Sequence, residues 1–361
     1  MASPEKQRIK EKLSRSGIQW HGMRYHQRPS LIATLYDISV GAIRGLLLCY
    51  RHQIRLVHAR SHVATAMGLL VKGVLGCKLL FDVRGLLAEE YADAGHWSTD
   101  EFKYRLTKRV EQHLFQRADA LVMLTQRIKT LLVQQETTLS GRADAITVIP
   151  CCADTGRFLV SDDERARYRQ QRGWGARIVL TYVGKIGTWY LYEEMAQFFA
   201  VAYQYQPRFF FQILTQSDPE LMEQSLCQEG VDPSHYDICC VSQEALPLIL
   251  ASSDAGIAFI RPCYSKQASS PTKVGEYLAA GLPVVANAGI GDCDAMIGEQ
   301  GLGLVLQDFS QAEYHRAVRR LNSLIADETM AQRCREFAQN ALSLSQVGGP
   351  RYTALYQELL R

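Results

Sequence analysis

The chain has 361 residues, of which 47% are hydrophobic and 21% charged, with a formal net charge of +3. This composition excludes a disordered or fibrous protein, and the length suffices for two domains of ordinary size. The charge is unevenly placed, because residues 1–160 carry 23 Lys and Arg against 14 Asp and Glu, or +9, and the remainder carries −6. The basic half is expected either to meet an anionic membrane or a phosphate-bearing substrate, or to form an ordinary solvated surface.

The ten cysteines include two adjacent pairs and no C-x-x-C spacing, so neither a zinc cluster nor a disulfide framework is predicted. They are typical of thiols in a reducing compartment. The N-terminus is polar and has no apolar signal core, and the longest apolar stretches, such as 63–76 with Lys72 inside it, are expected to be too short to span a bilayer. We therefore expect a cytoplasmic protein.

The chain opens with a polar helical pattern at 4–17, after which short apolar runs alternate with helical patterns. This alternation indicates βαβ units and parallel sheets, which is an α/β fold. The predicted strands are 54–58, 78–82, 120–124, 145–149, 178–183, 209–214, 236–241, 255–259, 283–286 and 304–306.

An amphipathic helix is predicted between the second and third strands from the i, i+4, i+8 recurrence of Leu106, Val110 and Leu114. Its basic face, formed by Lys103, Lys108 and Arg109, either contacts a membrane or is simply solvated. The join between two domains is placed between Arg157 and Arg177, where a charged helix precedes a glycine-bearing turn. We predict domains at 1–160 and 161–342, with a C-terminal helix at 343–361 that packs back on the first domain.

The segment SSPTKVGEYLAAGLPVVAN, residues 269–287, has an unusual helix start. Ser270 is predicted to cap a helix in which Pro271 takes the first position and residues 272–280 follow, and Gly281 is predicted to end it. Lys273 then lies at the third helical position, where the helix dipole disfavours a cation by a few tenths of a kcal/mol unless an anion binds there. The segment predicts either a phosphate site, with Glu276 on the same face to accept bonds from sugar hydroxyls, or an exposed helix with an incidental Lys and Glu.

A second glycine-bearing loop follows the strand 178–183, in the sequence YVGKIGTWY. Gly184, Lys185, Gly187 and Thr188 bring backbone amides and a cation to the carboxyl end of that strand. The spacing matches neither G-x-G-x-x-G nor G-x-x-x-x-G-K-[ST], which disfavours a nicotinamide site and a nucleoside triphosphatase loop.

These residues carry a resemblance to retaining glycosyltransferases of family 4, closest to a bacterial branch with the motif SSPTK-x-x-EYLA. It extends in order over nearly the whole chain, through VHARSHVATA, LLFDVRGLLAEEYADAGHW, ADALVMLTQ, ITVIPCCAD, YVGKIGTWY and SDAGIAFIRPCYSKQASSPTKVGEYLAAGLPVVAN, of which the last is the most specific. The resemblance implies two Rossmann-like domains that face each other across a cleft (the GT-B fold), with the acceptor on the N-terminal domain and the donor on the C-terminal one.

The resemblance also implies an activity: transfer of a sugar from a UDP- or GDP-sugar to a glycan or lipid-linked acceptor, with retained configuration and without a metal. The process would be bacterial surface polysaccharide biosynthesis, on the cytoplasmic face of the inner membrane and without a nucleic-acid partner. By the same resemblance Lys185 and Lys273 hold the donor diphosphate as leaving group and Glu276 binds the ribose. The other donor-binding residues are Gly184, Gly187, Thr188, Ser269, Ser270, Pro271 and Thr272.

On the opposite side of the cleft, Arg84 takes the place of a histidine that many members have at the end of an N-terminal strand. Arg84 and Asp82 either handle the acceptor or sugar or form a local ion pair. Arg84 is counted with the catalytic candidates, and His58, Arg60 and Asp82 are the acceptor-side candidates.

Two further departures from the family pattern are visible. Ala268 replaces a glutamate that many members place near the donor sugar, and the sequence starts without the strand, glycine-rich loop, helix and second strand with which such a domain normally opens, so either the recorded start is late or the domain is cut down. They leave open a second interpretation, a non-catalytic or decayed sugar-nucleotide-binding subunit. A third, a sugar-nucleotide epimerase of related fold, predicts an altered free nucleotide sugar without an acceptor.

Two patterns imitate metal motifs. Asp292-Cys293-Asp294 is a D-x-D sequence, but its place after a strand favours a turn and helix cap. His58 and His62 are spaced like a metal pair, yet they lie on either side of a strand-to-helix junction and have no third ligand nearby. No metal site is predicted.

Overall fold

Parallel strands form two separate sheets in the computed structural model, which describes residues 4–24, 26, 30–135 and 137–361. The four-stranded N-terminal sheet has the order β1-β2-β3-β4, and the six-stranded C-terminal sheet has the order β10-β9-β8-β5-β6-β7. The strands are β1 Leu56–Arg60, β2 Lys78–Asp82, β3 Ala120–Met123, β4 Ile146–Val148, β5 Ile178–Val183, β6 Phe209–Leu214, β7 Tyr236–Cys239, β8 Ala255–Ala258, β9 Val284–Asn287 and β10 Gly303–Leu306. The predicted α/β fold with two parallel-sheet domains is confirmed.

Helices connect the strands, as parallel neighbours require. The helices that come before β4 in the chain are α1 Pro4–Arg15, α2 Ser30–Arg51, α3 Ser61–Leu75, α4 Leu87–Asp93, α5 Phe102–Arg117, α6 Gln126–Gln135 and α7 Thr137–Ser140. The later ones are α8 Asp162–Gln171, α9 Tyr192–Tyr205, α10 Glu220–Gln228, α11 Leu246–Ala251, α12 Thr272–Ala279, α13 Gln311–Ile325, α14 Met330–Ala341 and α15 Gly349–Leu360. Among the described residues, the helices α1 and α2 precede the first strand.

Strand β1 begins two residues later than predicted, and this shift changes which residues meet at the sheet edge. Ile54 lies outside the strand and is partly exposed. The strand starts at Leu56 and ends at Arg60 rather than at His58. In the observed register Arg60 lies beside Asp82, the last residue of β2. Two acceptor-side candidates therefore end neighbouring strands at the same edge of the sheet.

The prediction for the exposed and buried faces of helix α5 was wrong. Leu114 is buried, but Leu106 and Val110 are exposed, while the carboxylate of Glu111 is fully buried. Lys108 reaches the carboxylates of Glu111 at 2.8 Å and Glu89 at 2.9 Å. The burial of Lys108 by itself lowers its pKa, but the two carboxylates together raise the pKa above the usual lysine value. Lys108 is thus an internal ion-pair residue, whereas Lys103 and Arg109, the other two residues of the predicted basic face, are exposed.

Helix α15 packs on the face of the N-terminal sheet opposite to α3 and α5. Leu355 joins Leu80, Ala120 and Val122 in one apolar cluster, whereas Leu79 and Phe81 of β2 belong to the cluster on the other side. This division follows from the alternation of side chains along a strand. The domain limits 160 and 342 stay a prediction; what the contacts establish is that the last helix of the chain covers the first sheet.

Candidate functional site

Helix α12 begins at Thr272, one residue later than predicted, and its N-cap position is occupied by Pro271. The predicted cap, Ser270, does not cap the helix; its hydroxyl instead accepts a hydrogen bond from the backbone N–H of Cys151 at 3.1 Å. Lys273 is therefore the second helical residue. Because Ser270 is bonded to the other domain, the first amides of α12 keep no side-chain cap.

The ammonium of Lys273 is buried and has no hydrogen-bond partner. Its Nζ lies 4.3 Å from the ring centroid of Tyr182 and 3.8 Å from that of Tyr190, so two aromatic rings are its main favourable contacts. Burial lowers the pKa of Lys273 to about 7, against the opposing effect of the Glu276 carboxylate. An ammonium in this position is short of negative charge.

Gly184 is what makes room for that ammonium. It has a φ of +148°, and a Cβ built on it lies 2.6 Å from Lys273 Nζ and 3.0 Å from the Tyr182 hydroxyl. No other residue type adopts this backbone conformation readily, and none leaves the space free. The glycine that ends β5 thus lets the lysine of α12 reach the carboxyl edge of the sheet.

A cavity of about 410 Å³ opens on the other side of Gly184, at the carboxyl ends of β5, β6 and β7. Its lining residues are Val183, Gly184, Lys185, Leu214, Thr215, Gln216, Ser217, Val241, Ser242, Gln243, Leu246 and Glu276. Lys185 is exposed there, and Glu276 is half-buried. Burial raises the pKa of Glu276, while Arg157 and Lys273 act to lower it. The structure thus brings Lys185, Lys273 and Glu276 to one edge of one sheet.

The loop after β5 folds back tightly. Gly187 and Thr188 both have positive φ, of +81° and +59°, and the N–H of Tyr190 donates to the carbonyl of Gly187 at 3.1 Å. This turn carries Tyr190 over Lys273. Neither ring was among the predicted site residues; the signal present in the sequence is the pair of tyrosines on either side of the glycine-bearing loop.

On the N-terminal side Arg84 occupies a left-handed backbone conformation, with φ of +62°. Its Nη2 donates to Cys151 Sγ at 3.2 Å, and its Nη1 lies 4.0 Å from Asp82 Oδ2. The N–H of Cys151 in turn donates to Ser270, so Cys151 links Arg84 to the start of α12. The ion pair with Asp82 is thus at the outer limit of such contacts, and the guanidinium lies near the start of α12.

Asp82 and His58 lie beneath helix α15. Asp82 Oδ2 accepts a hydrogen bond from the Tyr352 hydroxyl at 3.3 Å, and His58 Nδ1 lies 2.7 Å from the Tyr356 hydroxyl. His58 Nε2 is 3.7 Å from Asp82 Oδ2, whereas Asp82 Oδ1 is buried without a hydrogen-bond partner. His58 and Asp82 therefore form a cluster with helix α15, a contact that no local sequence pattern predicts.

Ala268 is buried in the apolar cluster of the N-terminal sheet, although it belongs to the loop that precedes α12. The same loop is bonded to the N-terminal domain at the carbonyl of Gln267, which accepts from Thr125 Oγ1 at 2.7 Å. The alanine thus faces the other domain in an apolar environment, where a carboxylate would be desolvated.

The two metal-like motifs have structural partners. The carboxylate of Asp292 accepts hydrogen bonds from the backbone N–H groups of Gln126 at 2.7 Å and Arg127 at 2.9 Å, so it caps helix α6 of the other domain. Asp292 is thus a helix cap, but of α6 and not of the helical segment that follows it, which has no side-chain cap. His62 Nε2 lies 2.8 Å from the buried Glu111 carboxylate. Within the described ranges no group of three or more His, Cys, Asp or Glu residues is placed to hold a metal ion.

No family model and no curated protein sequence matches the chain. Solved structures do match it. Anabaena HepE in complex with UDP aligns with a TM-score of 0.72 at 17% identity, over 97% of this chain and 89% of that one. Sucrose-phosphate synthase from Thermosynechococcus elongatus aligns with a TM-score of 0.73 at 16% identity, over 95% and 83%. The chain has the GT-B glycosyltransferase fold.

A third structure with this fold is WaaG, described as a glycosyltransferase involved in lipopolysaccharide biosynthesis, with a TM-score of 0.55 at 18% identity over 87% and 93%. At these identities the similarity establishes the fold alone, and membership of family 4 stays a prediction. The GT-B fold places the cavity at the carboxyl edge of its C-terminal sheet, where open α/β sheets bind ligands.

Proposed function

We propose that the chain is a glycosyltransferase that moves a sugar from a nucleotide-sugar donor to a glycan or lipid-linked acceptor with retained configuration. The observation that carries this proposal is the buried, unpartnered ammonium of Lys273 at the start of α12. A cation is expensive in such a place unless an anion completes it. The donor diphosphate is an anion of the right charge, and the neighbouring cavity accommodates the attached nucleoside.

In the proposed reaction, bond cleavage leaves negative charge on the nucleoside diphosphate. Lys273, Lys185 and the uncapped amides of α12 supply positive charge where that charge develops, which lowers the barrier to departure. We propose that no metal is required, because these fixed groups provide the electrostatic stabilisation that a divalent ion supplies in other architectures. The sugar, with oxocarbenium character, is then attacked by an acceptor hydroxyl.

Glu276 is proposed to bind the donor ribose. It lines the cavity together with the polar residues Thr215, Ser217 and Gln243, and an ionised carboxylate accepts hydrogen bonds from two adjacent hydroxyls. HepE was solved with UDP, with UDP and glucose, and with UDP-glucose, which supports a UDP-sugar as the first donor to test.

Arg84 is proposed to face the transferred sugar or acceptor from the N-terminal domain, since its contact to Cys151 holds it beside the donor helix. His58, Arg60 and Asp82 form the acceptor-side group. The cellular process we propose is surface polysaccharide or lipid-linked oligosaccharide assembly on the cytoplasmic side of a bacterial membrane. The description of WaaG as a lipopolysaccharide enzyme is consistent with this process.

Two measurements test the proposal. Calorimetric titration with UDP, GDP and ADP is expected to give saturable binding of at least one nucleotide, and Lys273→Met is expected to abolish it. Incubation with the corresponding sugar nucleotides should then give transfer or slow donor hydrolysis. Binding without any turnover would support the alternative, a non-catalytic sugar-nucleotide-binding subunit, and absence of binding would overturn both.

A further inference from the structure

Helix α2 presents an apolar stripe to solvent. The stripe consists of Tyr36, Ile43, Leu47 and Tyr50, whose side chains are between 56% and 71% exposed. Their spacing of i, i+7, i+11 and i+14 places them on one face of the helix. Such a contiguous exposed apolar surface on an otherwise ordinary domain indicates a contact with something outside it.

The opposite face of α2 is tightly packed on α3. A Cβ at Gly41 would lie 2.5 Å from Met67 Sδ, and one at Gly45 would lie 3.1 Å from Val71 Cγ2, so the two helices approach closely through these glycines. On helix α3, Leu70 and Val74 are exposed as well. The stripe is therefore the outer side of a rigid helix pair, not a frayed segment.

The charged side chains exposed on α2 and α3 have one sign. Arg44 and Arg51 on α2 are exposed, and Arg55 follows the helix. The sole carboxylate in the sequence of α2 and α3 belongs to Asp37, which is buried and lies 2.7 Å from His26 Nδ1. An apolar stripe with arginines on its own helix, on a helix pair without an exposed carboxylate, is complementary to an anionic lipid surface.

We propose that the outer face of α2 docks the protein on an anionic membrane surface, with Ile43 and Leu47 in the acyl boundary and Arg44 and Arg51 at the headgroups. Tyr36 and Tyr50 stand at the two ends of the stripe, where amphipathic rings favour the interface. This inference rests on the proposed function in one respect: docking on a membrane would give the protein access to a lipid-linked acceptor. Membrane docking itself requires neither donor nor acceptor.

Two other occupants fit the surface less well. The segment Ala33–Arg51 is long and apolar enough to cross a bilayer, contrary to the expectation from sequence, but it contains Asp37 and Arg44 and is packed along one side by α3. A second copy of the chain paired through this face would bring Arg44 and Arg51 of both copies together with no carboxylate opposite. A helix lying on the membrane avoids both costs.

The test is co-sedimentation of the full chain with phosphatidylcholine vesicles, with and without phosphatidylglycerol, at low and high salt. We expect binding to the anionic vesicles at least about tenfold tighter than to neutral ones and weakened by salt. The double variant Ile43→Ser and Leu47→Ser should lose about tenfold or more. Arg44→Gln with Arg51→Gln should lose a similar factor on anionic vesicles only.

The matched control is Leu221→Ser with Leu344→Ser, which removes two exposed leucines from the C-terminal part and should leave vesicle binding unchanged. UDP affinity, measured on every variant, should stay within about twofold, so a failed vesicle assay with intact nucleotide binding overturns only the membrane proposal. Absence of anionic vesicle binding overturns it, as does an equal loss in the control. A dimer in sedimentation equilibrium that dissociates in the serine variant of α2 overturns it as well.

Discussion

The ammonium of Lys273 lies 3.8 Å from the ring centroid of Tyr190 and no hydrogen-bond acceptor reaches it. A buried lysine without an anion destabilises the folded protein. Lys273 is therefore expected to lower the free energy of unfolding while it serves the proposed nucleotide binding. The residues around it form a site that lacks an anion. Gly184 leaves space for the ammonium, the ring of Tyr190 partly offsets its desolvation, and the start of α12 adds positive potential.

Lys273→Met is expected to stabilise the free protein while removing nucleotide affinity. At pH 6 the gain in unfolding free energy should be on the order of 4 kcal/mol, because the folded pKa of about 7 lies far below the usual lysine value of 10.5. UDP affinity should fall at least about a hundredfold. Thermal unfolding and calorimetry measure the two effects, and Lys185→Met, at an exposed position, should change stability by less than about 0.5 kcal/mol.

The stability gain in that variant should depend on pH with a definite sign. The folded lysine is neutral above pH 7, whereas the unfolded one stays protonated up to its ordinary pKa, so the folded state binds fewer protons in this window. The wild-type penalty is complete below pH 7 and is relieved as the pH rises towards 10.5. A gain from Lys273→Met that is the same at pH 6 and pH 9 would contradict the burial of the ammonium.

Nucleotide affinity should fall as the pH rises above 7. The free protein then loses the Lys273 proton, and binding of the diphosphate must restore it, which costs up to about tenfold in affinity per pH unit. Calorimetry between pH 7 and 9, in buffers of different ionisation enthalpy, should detect proton uptake on UDP binding. Proton release would contradict the assignment of Lys273 to the diphosphate.

Gly184→Ala should weaken nucleotide binding and lower stability by about 1–3 kcal/mol, since the added Cβ meets the Lys273 ammonium and the φ of +148° is strained for alanine. Gly173→Ala is the matched control. Gly173 also has a positive φ, of +65°, but a Cβ there meets nothing within 4 Å. Its substitution should cost about 1 kcal/mol and leave UDP affinity intact, as read by denaturant unfolding and titration.

Ala268→Glu should destabilise the protein by several kcal/mol, because the carboxylate would enter the apolar cluster of the N-terminal sheet. Ala268→Leu separates the effect of volume from that of charge and should cost less. Denaturant unfolding ranks the two variants. If Ala268→Glu instead raised the transfer rate at unchanged stability, the position would face the donor sugar.

Asp292→Ala should cost about 1–2 kcal/mol, since it leaves two backbone N–H groups of helix α6 without their cap. Because the cap crosses between domains, hydrogen exchange at Gln126 and Arg127 should accelerate. Asp294→Ala is the control: its exposed ion pair with Arg127, at 3.5 Å, should contribute little. Equal effects of the two substitutions would show that the cap does not join the domains.

Local pattern was sufficient for the α/β class, for the ten strands and for the conflict at Lys273. Those depend on apolar runs, on turn residues and on the helix dipole, all of which act within a few residues. The pattern also identified Asp292 as a cap but not the helix that it caps. It wrongly predicted that Leu106 and Val110 are buried. The buried face of this helix contains the ion pair of Glu111 and Lys108, and helical periodicity of apolar residues gives no sign of a buried ion pair.

The tertiary structure alone decided the surroundings of the site. Tyr190 reaches Lys273 only because the loop after β5 folds back, and Asp82 meets Tyr352 across a separation of 270 residues. Ser270 appears from sequence to be a helix cap, yet it bonds Cys151 of the other domain. The exposed stripe of α2 is visible only once α3 has covered the other face. The sequence determines the local structural preference of each residue. Its burial and its electrostatic surroundings depend on which residues, distant in sequence, pack beside it in the folded protein.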